Sequence, residues 1–172
     1  MGRPMASNLV RKGFRVCVHD VVAAPVRALE ALGAQSAADV RGVAAASDVV
    51  FTMLPDSAAV QEVIGGRGGL LEHGRRGTTV VDMSTIDPLV TDRLAAEASA
   101  SGFTFADAPV GRLASHAERG ESLFMVGASD DVFARITPML EAMGTTIHHC
   151  GATVLVGRTT IPVRSRTSLH RR

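Results

Sequence analysis

Short β-branched or apolar runs alternate with helical patterns along most of the chain, and this alternation limits the possible folds more than any other feature. "FRVCVHD" precedes "APVRALEALG", "DVVFTML" precedes "AAVQEVIG", and "TTVVDMS" precedes "PLVTDRLAAEASASG". "FTFADAPV", "ESLFMVG", "DDVFARITPMLEAMG" and "TTIHHCG" complete the series. A strand that leads into a helix before the next strand cannot close as a hairpin, so its neighbours pair in parallel across helical crossovers. The expected class is α/β, a doubly wound and mostly parallel sheet of the Rossmann type. Gly13, Gly33, Gly102 and Gly144 each follow a helical pattern, where a left-handed glycine ends a helix. Asp56 and Asp130 are expected as N-caps, and Pro88 suits a first helical turn.

The first residues, "MGRPMASNLVRKG", read as a helix start with no strand in front of it. A dinucleotide site needs a strand, a tight glycine turn and a helix N-terminus, and its fingerprint is G-x-G-x-x-G with an acid about 20 residues on. Gly2 fits the third glycine, which allows close helix–strand packing, and Asp20 follows 18 residues later at the end of "RVCVHD". Asp20 can accept hydrogen bonds from a ribose and repels a 2′-phosphate, which favours NAD over NADP. In the strand order 3-2-1-4-5-6 the first strand is central. A sheet lacking it has two edges separated by about twice the ~4.8 Å strand spacing. Those edges must collapse together, stay exposed or recruit another strand, and exposed edges favour aggregation or a rearranged sheet.

The 172 residues suffice for one domain with a core of its own. No apolar run reaches the roughly 18 residues of a membrane span, and no charged-then-apolar leader opens the chain. A cytoplasmic location and no membrane partner are therefore expected. Cys17 and Cys150 lie in apolar runs without metal-ligand spacing, so they are expected as buried reduced thiols, with no metal site. From Ala152 to Arg172 there are five arginines, no acid and no helical period, which leaves 13 basic and 17 acidic side chains in the preceding residues. Residues 1–151 are thus expected as the folded domain and 152–172 as a basic irregular tail. With no Trp or Tyr to stack on bases and no basic stripe in the acidic main body, nucleic acid is not an expected partner.

"MGRPMASNLVRKG", "FTMLPDSAAVQEVI", "VVDMSTIDP", "FADAPVGR" and "PMLEAMG" resemble, in order, the motifs of the β-hydroxyacid dehydrogenases, the family of 3-hydroxyisobutyrate dehydrogenase. The resemblance runs from Met1 to about Gly151. It implies NAD as cofactor, with Met1 and Gly2 by the pyrophosphate, Asp20 at the adenosine ribose, Leu54 and Pro55 along the dinucleotide, and Thr85 near the nicotinamide ribose. It also implies a small hydroxy acid or aldehyde as substrate and a homo-oligomeric full-length protein. Where ordinary members carry Ser-Gly-Gly after "APV", this chain reads "APVGRLAS". That departure resembles the sulfolactaldehyde-reducing branch of the family and places Gly111, Arg112 and Ser115 at the substrate. An arginine offers a fork of donors and a permanent charge to a sulfonate.

The family's proton-transferring lysine has no counterpart by motif. The chain's one lysine, Lys12, falls on the first helix, and the expected position is near Thr160, in a segment that also lacks the accompanying glycines and asparagines. Loss of a positioned proton donor costs roughly 10²–10⁴ in rate. The helical C-terminal domain of the family is likewise absent. The expectation is an NAD-dependent oxidoreductase seen as an inactive fragment, its ends set by a shifted frame, a truncation or an upstream start. The alternative is a non-catalytic nucleotide-binding remnant. A basic-tailed interaction module using the terminal arginines is a third reading.

Overall fold

The computed structural model describes residues 1–151. Its order begins with α1 (Gly2–Arg11), β1 (Cys17–Val18), α2 (Ala23–Glu30), β2 (Gln35–Ser36), α3 (Val40–Ala46) and β3 (Val49–Thr52). It continues through α4 (Ser57–Gly65), α5 (Leu70–His73), β4 (Thr79–Asp82), α6 (Pro88–Ala100), β5 (Thr104–Asp107) and β6 (Val110–Gly111). The last elements are α7 (Ala114–Glu118), β7 (Ser122–Gly127), α8 (Asp130–Met143) and β8 (Gly144–Gly151). The strands anticipated from the alternation are all present. The two-residue β2 and the short helices α3, α5 and α7 carry too little period to be read from sequence.

Strands β3, β4 and β5 run parallel, with Val49, Thr79 and Thr104 opposite one another at their starts. Because successive side chains alternate between faces, neighbouring residues enter different cores. Val81 and Ala106 pack with Met5, Phe124, Ile136 and Leu140, while Val80 and Phe105 pack with Val60, Ile64, Leu94 and Ala98. Helices therefore cover both faces, as a doubly wound sheet requires.

β5 and β6 pair with β7 in one antiparallel register, Asp107 opposite Gly127 and Gly111 opposite Leu123. Pro109 interrupts the strand between them, since it has no N–H to give the ladder, although its carbonyl accepts from Met125 N–H. β8 returns parallel to β7 on the other side.

β1 pairs with β2, and among the described residues neither bonds to β3. The sequence β2-β1 and β3-β4-β5 is the 3-2-1-4-5-6 order with no strand in the central position. The two edges have not collapsed into one ladder. Side chains bridge them instead: Phe14 and Val16, before β1, pack on the same core as Val49 and Phe51 of β3.

Gly13, Gly33 and Gly102 take the left-handed conformation. Asp56 caps α4 by accepting from Ala59 N–H at 2.9 Å, and Pro88 opens α6 behind the Asp87 cap. Three expectations need correction. Gly144 is extended, at φ −156°, and leads directly into β8 without a left-handed turn. Its role is steric, because a Cβ there would meet the Ser122 carbonyl and stand 2.7 Å from Phe124 Cε2. Ser129 is the N-cap residue of α8, and Asp130 lies in the first turn, where its charge faces the positive end of the helix. Cys150 is exposed and Cys17 half-buried, and both thiols are free. A strand that alternates between core and solvent exposes half its residues, which an apolar local composition does not reveal.

Gly144→Ala is expected to cost about 1–3 kcal/mol, the usual range for overpacking. A lower urea midpoint at unchanged slope would report it. An unchanged midpoint would mean that β7 and β8 can separate freely at Ser122.

Candidate functional site

One cavity of about 260 Å³ opens where β3, β4 and β6 end, lined by Met1, Met53, Leu54, Pro55, Met83, Thr85, Val110 and Arg112. Met1 is the N-cap residue of α1, Met53 to Pro55 follow β3, and Met83 and Thr85 follow β4. Ligands of open α/β sheets bind at this edge, because the loops there diverge from a rigid sheet.

Buried hydrogen bonds hold these loops. Met83 N–H donates to the Thr52 carbonyl at 2.9 Å, and Leu54 N–H donates to Ser84 Oγ at 2.9 Å. Ser84 Oγ donates in turn to Asp82 Oδ1 at 2.7 Å, and Thr52 Oγ1 donates to the same oxygen at 2.8 Å.

Arg112 brings a charged side chain to the cavity. Among the described residues, Arg112 is the only charged side chain in the lining, and no acidic side chain joins it. It adopts φ 74°, a left-handed conformation costing roughly 1–2 kcal/mol for a residue with a Cβ. Its guanidinium donates to the Glu121 carbonyl at 2.8 Å and to Thr146 Oγ1 at 3.3 Å. Two of its five N–H groups are thereby used, and the rest can serve a ligand. α1 starts at the cavity with no side-chain cap bond and no acid in its first turn, so its N–H groups and dipole are available to an anion.

Of the residues anticipated from sequence, Met1, Leu54, Pro55, Thr85 and Arg112 share this cavity. Asp20 lies outside its lining, just beyond β1, where Oδ1 accepts from Val22 N–H at 2.8 Å. Gly2 also stands outside the lining. A Cβ there would be 3.7 Å from Met53 Cβ, an ordinary contact. Gly111 packs on Leu123, and Ser115 is exposed on α7. Thr160 and the basic tail lie outside the described residues.

Met53, Met83 and Val110 were missed because apolar residues at strand ends look like core. Asp82 and Asp107 were also missed, although acids ending the apolar runs "TTVVD" and "FTFAD" are a readable signal of a buried polar role. Asp82 is fully buried and Asp107 nearly so, and the two are register partners on β4 and β5. Burial raises the Asp107 carboxyl to about 7, with Asp82 and then Asp92 adding repulsion.

Known proteins match this chain over most of its length. The 2-(hydroxymethyl)glutarate dehydrogenase of Eubacterium barkeri is 43% identical over 153 residues, 89% of this chain and 51% of that protein. The 3-sulfolactaldehyde reductase of Escherichia coli (strain K12) is 41% identical over 151 residues, 88% of this chain and 51% of that protein. A solved structure of 3-hydroxyisobutyrate dehydrogenase from Mycobacterium tuberculosis with L-serine superposes with a TM-score of 0.86 at 32% identity, covering 92% of this chain and 53% of that one. This chain spans about half the length of the curated relatives it matches. No helix among the described residues is long and apolar enough to cross a membrane. Residues 1–151 match the family described as the NAD binding domain of 6-phosphogluconate dehydrogenase. With every described residue inside that match, the chain belongs to this family, and NAD is its cofactor.

Proposed function

We propose that this chain binds NAD(H) and a small anionic aldehyde, or the corresponding 3-hydroxy acid or sulfonate, in the cleft beside Arg112. The reading that follows is an NAD-dependent oxidoreductase of CH–OH groups. The observation that carries it is a guanidinium in the same cavity as Leu54, Pro55 and Thr85. Reduced nicotinamide, when bound, supplies a hydride to a carbonyl carbon. The chain's own contribution is orientation: Arg112 holds the anionic end, and Met53, Met83 and Val110 keep that part of the cleft apolar. Asp20 selects NAD over NADP through the ribose. The cavity volume lies just under the roughly 300–1,000 Å³ of complete small-molecule sites, so it would hold part of the dinucleotide, with Asp20 outside its lining.

Proton transfer is the weak point. Among the described residues no lysine, histidine or acidic side chain lines the cavity, and Lys12 is the C-cap of α1. That observation favours a second reading, a nucleotide-binding domain that holds the cofactor without turning over substrate.

Titrating NADH into the chain and following its fluorescence separates the two readings. Binding with slow turnover of an added aldehyde supports the enzyme, whereas binding with none supports the remnant. Arg112→Ala is expected to weaken binding of sulfolactaldehyde to the NADH complex roughly 10- to 100-fold, the worth of a charged hydrogen bond. NADH affinity should stay within a few-fold. Equal affinity for sulfolactaldehyde, succinic semialdehyde and methylmalonic semialdehyde would dismiss Arg112 as a selector.

A further inference from the structure

The loops that frame the cleft are joined by a chain of hydrogen bonds with a direction. Ser84 has one hydroxyl proton, and giving it to Asp82 Oδ1 leaves its lone pairs to accept Leu54 N–H. Asp82 Oδ1 therefore acts as a pure acceptor, taking bonds from Thr52 Oγ1, Ser84 Oγ and, at 3.2 Å, Ser84 N–H. Three donors on one oxygen describe a carboxylate.

Its other oxygen, Oδ2, is buried with no hydrogen-bond partner. A buried carboxylate oxygen without a donor is costly, and the strand beside it carries Asp107 at the matching register position. Burial, with the neighbouring Asp82 charge adding to it, favours the protonated form of Asp107. With Asp82 fixed as the acceptor by its three donors, the proton belongs on Asp107.

The charged groups that act on Asp107 are Asp82 from β4 and Asp92 from α6, and the Cys150 thiol of β8 feels Asp107 in turn. No basic group is among them. Neither aspartate lines the cavity, so neither meets a ligand directly.

We propose that Asp82 is the positioning residue of the cleft: beside a protonated Asp107 it fixes Ser84, and through Ser84 the Leu54 turn, so this side-chain link between the two loops holds while the aspartate pair retains its proton. The consequence for cofactor rests on the cleft being the NAD site. The link between the loops does not. When Asp107 loses its proton, the two like charges must separate or admit water, and Asp82 can relieve the repulsion only by releasing Ser84.

Hydrogen exchange of the Leu54 amide tests this without any ligand. Protection factors, corrected for intrinsic exchange, are measured from pH 6 to 8.5 in the 172-residue chain and in Ser84→Ala and Asp107→Asn variants. The Leu54 factor is expected to fall about tenfold as pH rises through 7, the loss of one buried hydrogen bond, while amides of α8 hold theirs. Asp107→Asn, which keeps a neutral donor of the same shape, should abolish the fall, and Ser84→Ala should lower the factor at every pH. Protection independent of pH in the parent chain, an undiminished fall in Asp107→Asn, or full protection in Ser84→Ala would each overturn the proposal. NADH titration over the same range distinguishes the two readings. Affinity that tracks Leu54 protection supports both, and a protection pattern as described with no NADH binding at any pH keeps the positioning role while removing the cofactor reading.

Discussion

The stability of the chain is expected to fall by about 4 kcal/mol relative to its Asp107→Asn variant between pH 4 and pH 7.5. The sign follows from linkage. Asp107 titrates at about 7 in the folded protein, against 3.8 as its ordinary value. A carboxyl whose folded value is raised stabilises fully below the unfolded value, because there both states hold the proton. As pH rises from about 4 to 7 the native state keeps a proton that the unfolded state has lost, and stability declines by about 1.4 kcal/mol per unit. Above 7 the loss is complete and the curve flattens. Comparison with Asp107→Asn matters, because contributions common to the two proteins cancel in the difference. Urea unfolding of both proteins at pH 4, 5.5, 7 and 8.5 provides the measurement. A difference that rises with pH would show that Asp107 is ionised in the folded state at low pH, which its burial argues against.

Phe124→Ala is expected to cost about 3–5 kcal/mol. Phe124 has no exposed surface and sits on β7, in one core with Ala106 of β5 and with Ile136, Leu140 and Met143 of α8. The backbone around it is locked by ladders to β6 on one side and β8 on the other, so the site cannot collapse to fill the cavity. Net stabilities of domains lie near 5–15 kcal/mol, so the variant forfeits a large share of the total. The urea midpoint should drop at constant slope, which reports lost stability without a change in exposed surface. A loss under about 1 kcal/mol would mean that β7 is not held between its neighbours as described.

Much of the architecture was legible because it is written in local periodicity. Val80 and Val81 go to opposite cores simply because a strand alternates, and Asp56 and Asp87 cap helices with contacts no more than three residues away. Gly144 was misread for the same reason. A glycine after a helix looks like a terminator, and only the close approach of β7 to β8 explains why no Cβ is tolerated there.

The amino-acid order by itself determined the alternating elements, the doubly wound class and the family motifs, since each depends on residues a few positions apart. The folded molecule alone decided the rest. It left the edges of β1 and β3 unjoined. It turned Arg112 into a left-handed position beside Thr85. It also set Asp82 against Asp107, 25 residues along the chain and adjacent in register. Such pairings depend on which strands lie side by side, and on the burial that results. Those are properties of the whole sheet, and no short window of residues encodes them.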